Sequence, residues 1–159
     1  MALIPENRKQ QGLALGRSVG DNIVLASLHR MFPTGVFRPG RAGIEQLRIA
    51  TPGPHRPVSV LSGGNQQKVV VAKWLAADAR VFIFDEPTRG IDVGAKAEMF
   101  RLIDALVQKG AGVLMISSEQ TEIVHVCDRA YVMRAGRIVG ELAREQLTEA
   151  NIVRLGMHQ

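Results

Sequence analysis

The chain has 159 residues, 46% of them apolar and 22% charged, which suits one domain, or a large piece of one, with a core of its own. A net charge of +5 raises nucleic acid as a partner. The basic residues are scattered, however, and aromatic residues for base stacking make up only 4%, so a solvated surface is the better reading.

A short apolar start, Met1 to Ile4, runs into a polar turn region, Pro5 to Gly12. Pro5-Glu6-Asn7-Arg8-Lys9 interrupts the apolar start too early for a signal peptide. A helix is expected over about Ser18 to Met31, with Val19, Ile23, Leu25, Ala26 and Leu28 on its apolar side. Phe32 to Pro57 is rich in proline and glycine and reads as loop, with one helical piece near Ile44 to Ile49. Ser62 is placed as the N-cap of a helix from Gly63 to Ala77.

Arg80 to Phe84 reads as a buried strand, because its β-branched and aromatic residues run on without alternation. An amphipathic helix follows over about Val93 to Lys109, with Ala97, Phe100, Ile103, Leu106 and Val107 at helical spacing. Gly110 and Gly112 end it and lead into a second buried strand, Val113 to Ile116. Glu119 to Val126 is a short helix, Arg129 to Met133 a strand, Arg134 to Arg137 a tight turn, and Ile138 to Leu142 the returning strand. Thr148 caps a last helix to about Leu155.

The single cysteine, Cys127, excludes an internal disulfide framework, suggests a reducing compartment, and reads as a small core residue. Met99, Met115 and Met133 also read as core. His29, His55, His125 and His158 lack metal-ligand spacing. No apolar run approaches the roughly 18–20 residues that span a bilayer. The chain is therefore expected in the cytosol or bound to a membrane protein. From Gly63 onward, helix and buried strand alternate, which argues for an α/β layer fold with parallel strands and an antiparallel edge from the final hairpin.

Two stretches carry chemistry. Leu61-Ser62-Gly63-Gly64-Asn65-Gln66-Gln67-Lys68 is a glycine-rich turn opening a helix. Ser62 has a hydroxyl to donate, and the two glycines let backbone N–H groups approach an oxyanion at the positive end of the helix. Val81-Phe82-Ile83-Phe84 ends in Asp85-Glu86-Pro87-Thr88, an apolar strand that delivers two adjacent carboxylates to a sheet edge. A phosphate-cradling P-loop, Gly-x-x-x-x-Gly-Lys-Ser/Thr, occurs nowhere in the sequence.

In this order, one helix apart, these stretches resemble the signature loop and Walker B strand of ATP-binding cassette (ABC) ATPases. The closer resemblance is to the second ATPase half of ribose/xylose/galactose-type bacterial sugar importers. It rests on Pro5 to Lys9 with Gly12-Leu13, on Leu61 to Val69, on Asp85 to Lys96, and on Ile116-Ser117-Ser118-Glu119. The similarity covers nearly the whole chain and thins between Phe32 and Arg41.

The resemblance implies an incomplete P-loop NTPase fold: a mostly parallel sheet with flanking helices, a partial helical subdomain, and a C-terminal antiparallel hairpin. Residues 1–17 would follow the Q-loop position, 18–78 would form the helical subdomain ending in the signature helix, and 79–159 the C-terminal part of the ATPase core, with residues near Glu6 to Gly20 facing a permease. Leu61, Ser62, Gly63, Gly64, Asn65 and Gln66 would contact ATP held on a partner's P-loop. Asp85 would be a magnesium ligand, direct or indirect, and Glu86 the general base that polarises the attacking water. Asp92 would be the D-loop aspartate. Trp74 would be a packing residue, because the family places its adenine contact upstream of the P-loop.

Three departures from the general ABC pattern stand out. The Walker A loop is missing, so the chain looks like the later part of an ATPase domain and is not expected to bind MgATP tightly alone. Glu6 holds the Q-loop position. Ser118 holds the switch-histidine position and cannot titrate near neutral pH, a change usual in the second half of these importers. The implied cofactors are ATP and Mg2+. The implied partners are a second ATP-binding domain, membrane-spanning permease subunits and, indirectly, a periplasmic sugar-binding protein, with the chain peripheral on the cytoplasmic face of the inner membrane and no nucleic acid expected. A catalytically silent half, a truncated remnant, and a soluble ABC protein of translation or DNA repair are the alternatives.

Overall fold

The computed structural model describes residues 1–28 and 39–157, which form two compact units, Met1–Ile116 and Ser117–Gln159. In the first, three parallel strands lie in the order β1 (Ala2–Ile4), β2 (Val81–Asp85), β3 (Gly112–Ile116). Ala2 pairs with Phe82 and Phe82 with Val113, so the three strands are in register. Among the described residues β3 has no strand partner on its far side.

The strands alternate, contrary to the continuous burial expected of β2. Ala2, Ile4, Phe82 and Phe84 are fully buried on one face, with the two phenylalanine rings stacked at 6.3 Å. Leu3, Val81, Leu114 and Ile116 on the other face are each 41–52% exposed. The apolar run in the sequence therefore reports a sheet suited to cover on both faces, of which only one is buried.

The helical region comes from α1 (Val19–Val24), α2 (Pro39–Gln46) and α3 (Gly63–Ala76), which pack on one another. Ser18 and Asp21 close a capping box at the start of α1. This helix ends sooner than expected: Leu25 is its C-cap, and Leu25 and Leu28 are exposed, while positions 29–31 of the expected helix lie outside the described residues. Residue 43 in α2 has to be small, since a Cβ there would stand 3.2 Å from Ile23 of α1 and 3.5 Å from Ala72 of α3. The second helical piece thus begins before Ile44, and Leu47 and Ile49 beyond its end are buried instead of helical.

The chain between β1 and α1 wraps α3. A single π-helical turn, Arg8–Gly12, sets the Gly12 carbonyl to accept from Lys73 Nζ at 2.8 Å. Trp74 Nε1 donates to the Leu3 carbonyl at 3.0 Å, which ties α3 to β1. Burial lowers the Lys73 ammonium from its ordinary pKa. The fourth helix, α4 (Val93–Gln108), buries Met99, Ile103 and Leu106, while Ala97 and Val107 of the expected stripe are exposed.

The second unit holds α5 (Gln120–Val126), β4 (Arg129–Arg134), β5 (Arg137–Ala143) and α6 (Glu149–Met157). The hairpin turn needs two positive φ angles, which Ala135 (48°) and Gly136 (77°) supply. The hairpin is antiparallel as expected, but among the described residues it makes a two-stranded sheet of its own, where an edge of the parallel sheet was expected. Val132, Leu142 and Leu147 form its core, with Cys127 packed against them and its thiol pKa raised chiefly by burial. Met133 points outward and is 64% exposed, against its expected place in the core. Arg144 Nη1 donates to the Val124 and Cys127 carbonyls at the end of α5, a charged C-cap. Thr148 Oγ1 accepts from the Asn151 amide at the start of α6.

Candidate functional site

The carboxyl end of a central parallel strand is where open α/β sheets present their ligands. Here it carries Asp85 and Glu86, both half-buried. Glu86 stands at φ 47°, a left-handed conformation that an L side chain adopts at a cost of roughly 1–3 kcal/mol. Its amide donates to the Ile116 carbonyl at 2.9 Å, so the end of β3 holds it there. Pro87 and Thr88 behind it are buried, and Gly90, at φ 69°, turns the chain toward Asp92. Asp92 is the N-cap of α4, its Oδ1 accepting from the Ala95 amide at 2.9 Å.

The second component is the start of α3. Ser62 is its N-cap, and Ser62 Oγ accepts from Asn65 Nδ2 at 2.9 Å and from the Asn65 amide at 3.5 Å. Those bonds use the oxygen's lone pairs, so the hydroxyl proton is left to donate elsewhere. Asn65 is held in turn by the Ala50 amide, which donates to its Oδ1 at 2.8 Å. Leu61 is half-buried, Gly64 and Gln66 are buried, and Gln66 Nε2 donates to the Val58 carbonyl at 3.3 Å.

The two components touch. A Cβ on Gly64 would lie 2.8 Å from the Ala95 Cβ, and one on Gly63 would lie 3.3 Å from Ile91 Cγ2 and 3.4 Å from the Gly90 carbonyl oxygen. Close packing therefore leaves no free space for a Cβ at either glycine. Glu6 joins the same neighbourhood, its carboxylate accepting from Arg89 Nη1. The first unit thus brings together Glu6, Leu61–Gln66 and the turn from Asp85 to Asp92. Ser118 lies in the second unit, where Ser117 Oγ donates to Glu122 Oε2 at 3.0 Å and accepts from the Glu119 amide at 3.0 Å. Sequence reading missed Arg8 and the specific work of Asn65. In the sequence Arg8 stands out only as part of the Pro5 to Lys9 stretch, with nothing there to say what it touches.

Among the described residues no group of three or more His, Cys, Asp or Glu side chains is placed to hold a metal. The adjacent Asp85 and Glu86 suit magnesium nonetheless, which is held by one or two carboxylates with substrate phosphates supplying the rest. Also among the described residues, no helix is long and apolar enough to cross a membrane.

Residues 40–89 match the family model for ABC transporters. Ribose import ATP-binding protein RbsA 3 of Rubrobacter xylanophilus is 53% identical over 96% of this chain and 32% of that protein. A putative ribose/galactose/methyl galactoside import ATP-binding protein of Rhizobium etli is 48% identical over 98% of this chain and 31% of that protein. The chain thus spans about a third of the length of these curated relatives. Among solved structures, cbiO1 from Clostridium perfringens, part of the ABC transporter complex cbiONQ, superposes with a TM-score of 0.74 over 96% of this chain and 61% of that one. At 21% identity this likeness shows the fold alone. The chain belongs to the ABC transporter ATPase family.

Proposed function

We propose that the chain contributes a signature loop and a Walker B strand to the ATP-binding subunit of a carbohydrate importer. The observation that carries this reading is Glu86: a half-buried carboxylate in a left-handed conformation, pinned to the Ile116 carbonyl at the carboxyl end of β2. Backbone strain of that kind is kept where a side chain must be aimed. The names of the relatives, which are ribose and galactose import ATP-binding proteins, supply the substrate class.

In this reading Ser62 and the backbone amides of Gly63 and Gly64 donate to the γ-phosphate of ATP held on the P-loop of a second ATP-binding domain. The chain's own carboxylates act on a different nucleotide, one held by a P-loop that must accompany this chain. Asp85 would hold magnesium, which when bound supplies positive charge to the phosphate oxygens. Glu86 accepts a proton as a water oxygen bonds to the γ-phosphorus and the bond to the leaving ADP oxygen breaks. Asp92 faces the partner domain from the N-terminus of α4, and Glu6 marks the segment that meets the permease. Functionally the chain divides at 17/18 and 78/79, into the post-Q-loop segment, the signature subdomain and the core. It works on the cytoplasmic face of the membrane with permease subunits and, through them, a sugar-binding protein.

Alone, the chain is inactive, because most phosphate donors of such a site come from the P-loop, whose sequence is not found in these 159 residues. A second reading, a half that completes a partner's site without catalysis of its own, is favoured by Ser118, which cannot act as an imidazole does. Glu86→Gln separates the two. Mixed with a P-loop-containing segment of a related importer, the variant should hydrolyse ATP at least 100-fold more slowly than wild type, with ATP binding kept. Unchanged hydrolysis would establish the silent half.

A further inference from the structure

Arg8 lies in the Pro5 to Lys9 stretch but carries none of the site roles above, yet two sequence-distant segments meet on it. Its Nη1 donates to the Arg89 carbonyl at 3.4 Å. Its Nη2 stands 2.5 Å from where a Cβ on Gly63 would be, the same point approached by the Gly90 carbonyl oxygen and Ile91. Its Nε is buried without a hydrogen-bond partner, and burial lowers the pKa of the guanidinium. Two residues earlier, Glu6 takes the Arg89 side chain. The segment Glu6–Arg8 thus grips Arg89 twice, by its guanidinium and by its backbone carbonyl.

We propose that Arg8 is a positioning residue, whose guanidinium clasps the Ser62–Gly64 turn to the Thr88–Ile91 turn so that the two move as one body. An unpaired buried N–H is costly, and here the cost accompanies a planar fork that reaches a carbonyl with one nitrogen and fills the space over Gly63 with the other. Lysine carries its donors on a single nitrogen and cannot do both. The catalytic consequence rests on the proposed function above; the clasp itself does not. If the two turns move together, the phosphate donors on α3 and the carboxylates at the end of β2 keep a fixed spacing.

The test is native-state amide exchange on the full chain for wild type, Arg8→Ala, Arg8→Lys, Gly63→Ala and the Arg8→Ala/Gly63→Ala double variant. Arg8→Ala should lower protection about tenfold at the Gln66, Arg89 and Ile91 amides together, leaving the β4–β5 hairpin unchanged. Gly63→Ala should do the same, since its methyl evicts the guanidinium, and the double variant should be no worse than either single one. Arg8→Lys should recover less than half of the loss. Additive effects, no change at those amides, or an equal loss throughout the chain would overturn the proposal. Should Arg8→Ala fail to fold, Gly63→Ala and Arg8→Lys carry the same comparison. In the mixed ATPase assay, Arg8→Ala should lower kcat about tenfold with KM for ATP within twofold, and a rise in KM alone would count against it. If wild type is silent in that assay, the proposed function falls and the exchange result still decides the clasp.

Discussion

Ser62 is a ligand only if its proton is free to point outward, and Asn65 decides that. The amide Nδ2 spends a hydrogen bond on Ser62 Oγ, and Oδ1 is anchored by Ala50. Asn65→Asp keeps the anchor and turns the donor into an acceptor, so the serine hydroxyl rotates to donate to the new carboxylate. A negative charge in the first turn of α3 is itself favourable to the helix. The variant should therefore keep the wild-type melting temperature within about 2 °C, while KM for ATP in the mixed assay rises about tenfold, the loss of one charge-assisted hydrogen bond. A fall in stability with KM unchanged would show that Asn65 serves the helix alone. The sequence showed Ser62 as a cap and Gly63-Gly64 as a turn from local chemistry. Asn65's hold on Ala50, and Arg8's reach to Gly63 and Arg89, span 15, 55 and 81 residues and leave no periodic trace.

At the level of elements, α3 and α4 are the pair that sets the site. They pack through Gly64 against Ala95 and are tied by Lys68 Nζ donating to Glu98 Oε2 at 2.8 Å. The hydrogen bond and charge of Lys68 hold the Glu98 carboxyl below its ordinary range. A depressed carboxylate pKa contributes stability that is present above the unfolded value and lost as pH falls through the folded one. Glu98 is about half exposed, so solvent screening keeps the contribution under about 1 kcal/mol. Glu98→Gln should lower the melting temperature at pH 7 by no more than about 4 °C, with the difference from wild type closing as pH falls into the acid range. A difference that widens toward acid pH would contradict this assignment. The boundaries of α3 and β2 and the hairpin turn were legible because caps, glycines and apolar runs mark them locally. The early end of α1 was not: Leu25 and Leu28 extend the helical spacing on paper but face solvent in the fold.

The whole molecule is two units, and the larger one has a sheet with an open face. Leu3, Val81, Leu114 and Ile116 line that face, and β3 has no strand partner on one side among the described residues. The continuous apolar runs from which buried strands were expected suit a sheet covered on both faces, and the described residues bury one of them. The central claim is that the chain holds a working signature loop and Walker B strand but needs a P-loop from elsewhere. The direct measurement is MgATP binding and hydrolysis by the purified chain, alone and then mixed with a P-loop-containing segment of a related importer. The account predicts neither binding nor turnover alone, and turnover on mixing that Ser62→Arg abolishes. Tight MgATP binding by the chain alone, or turnover on mixing that survives Ser62→Arg, would contradict it.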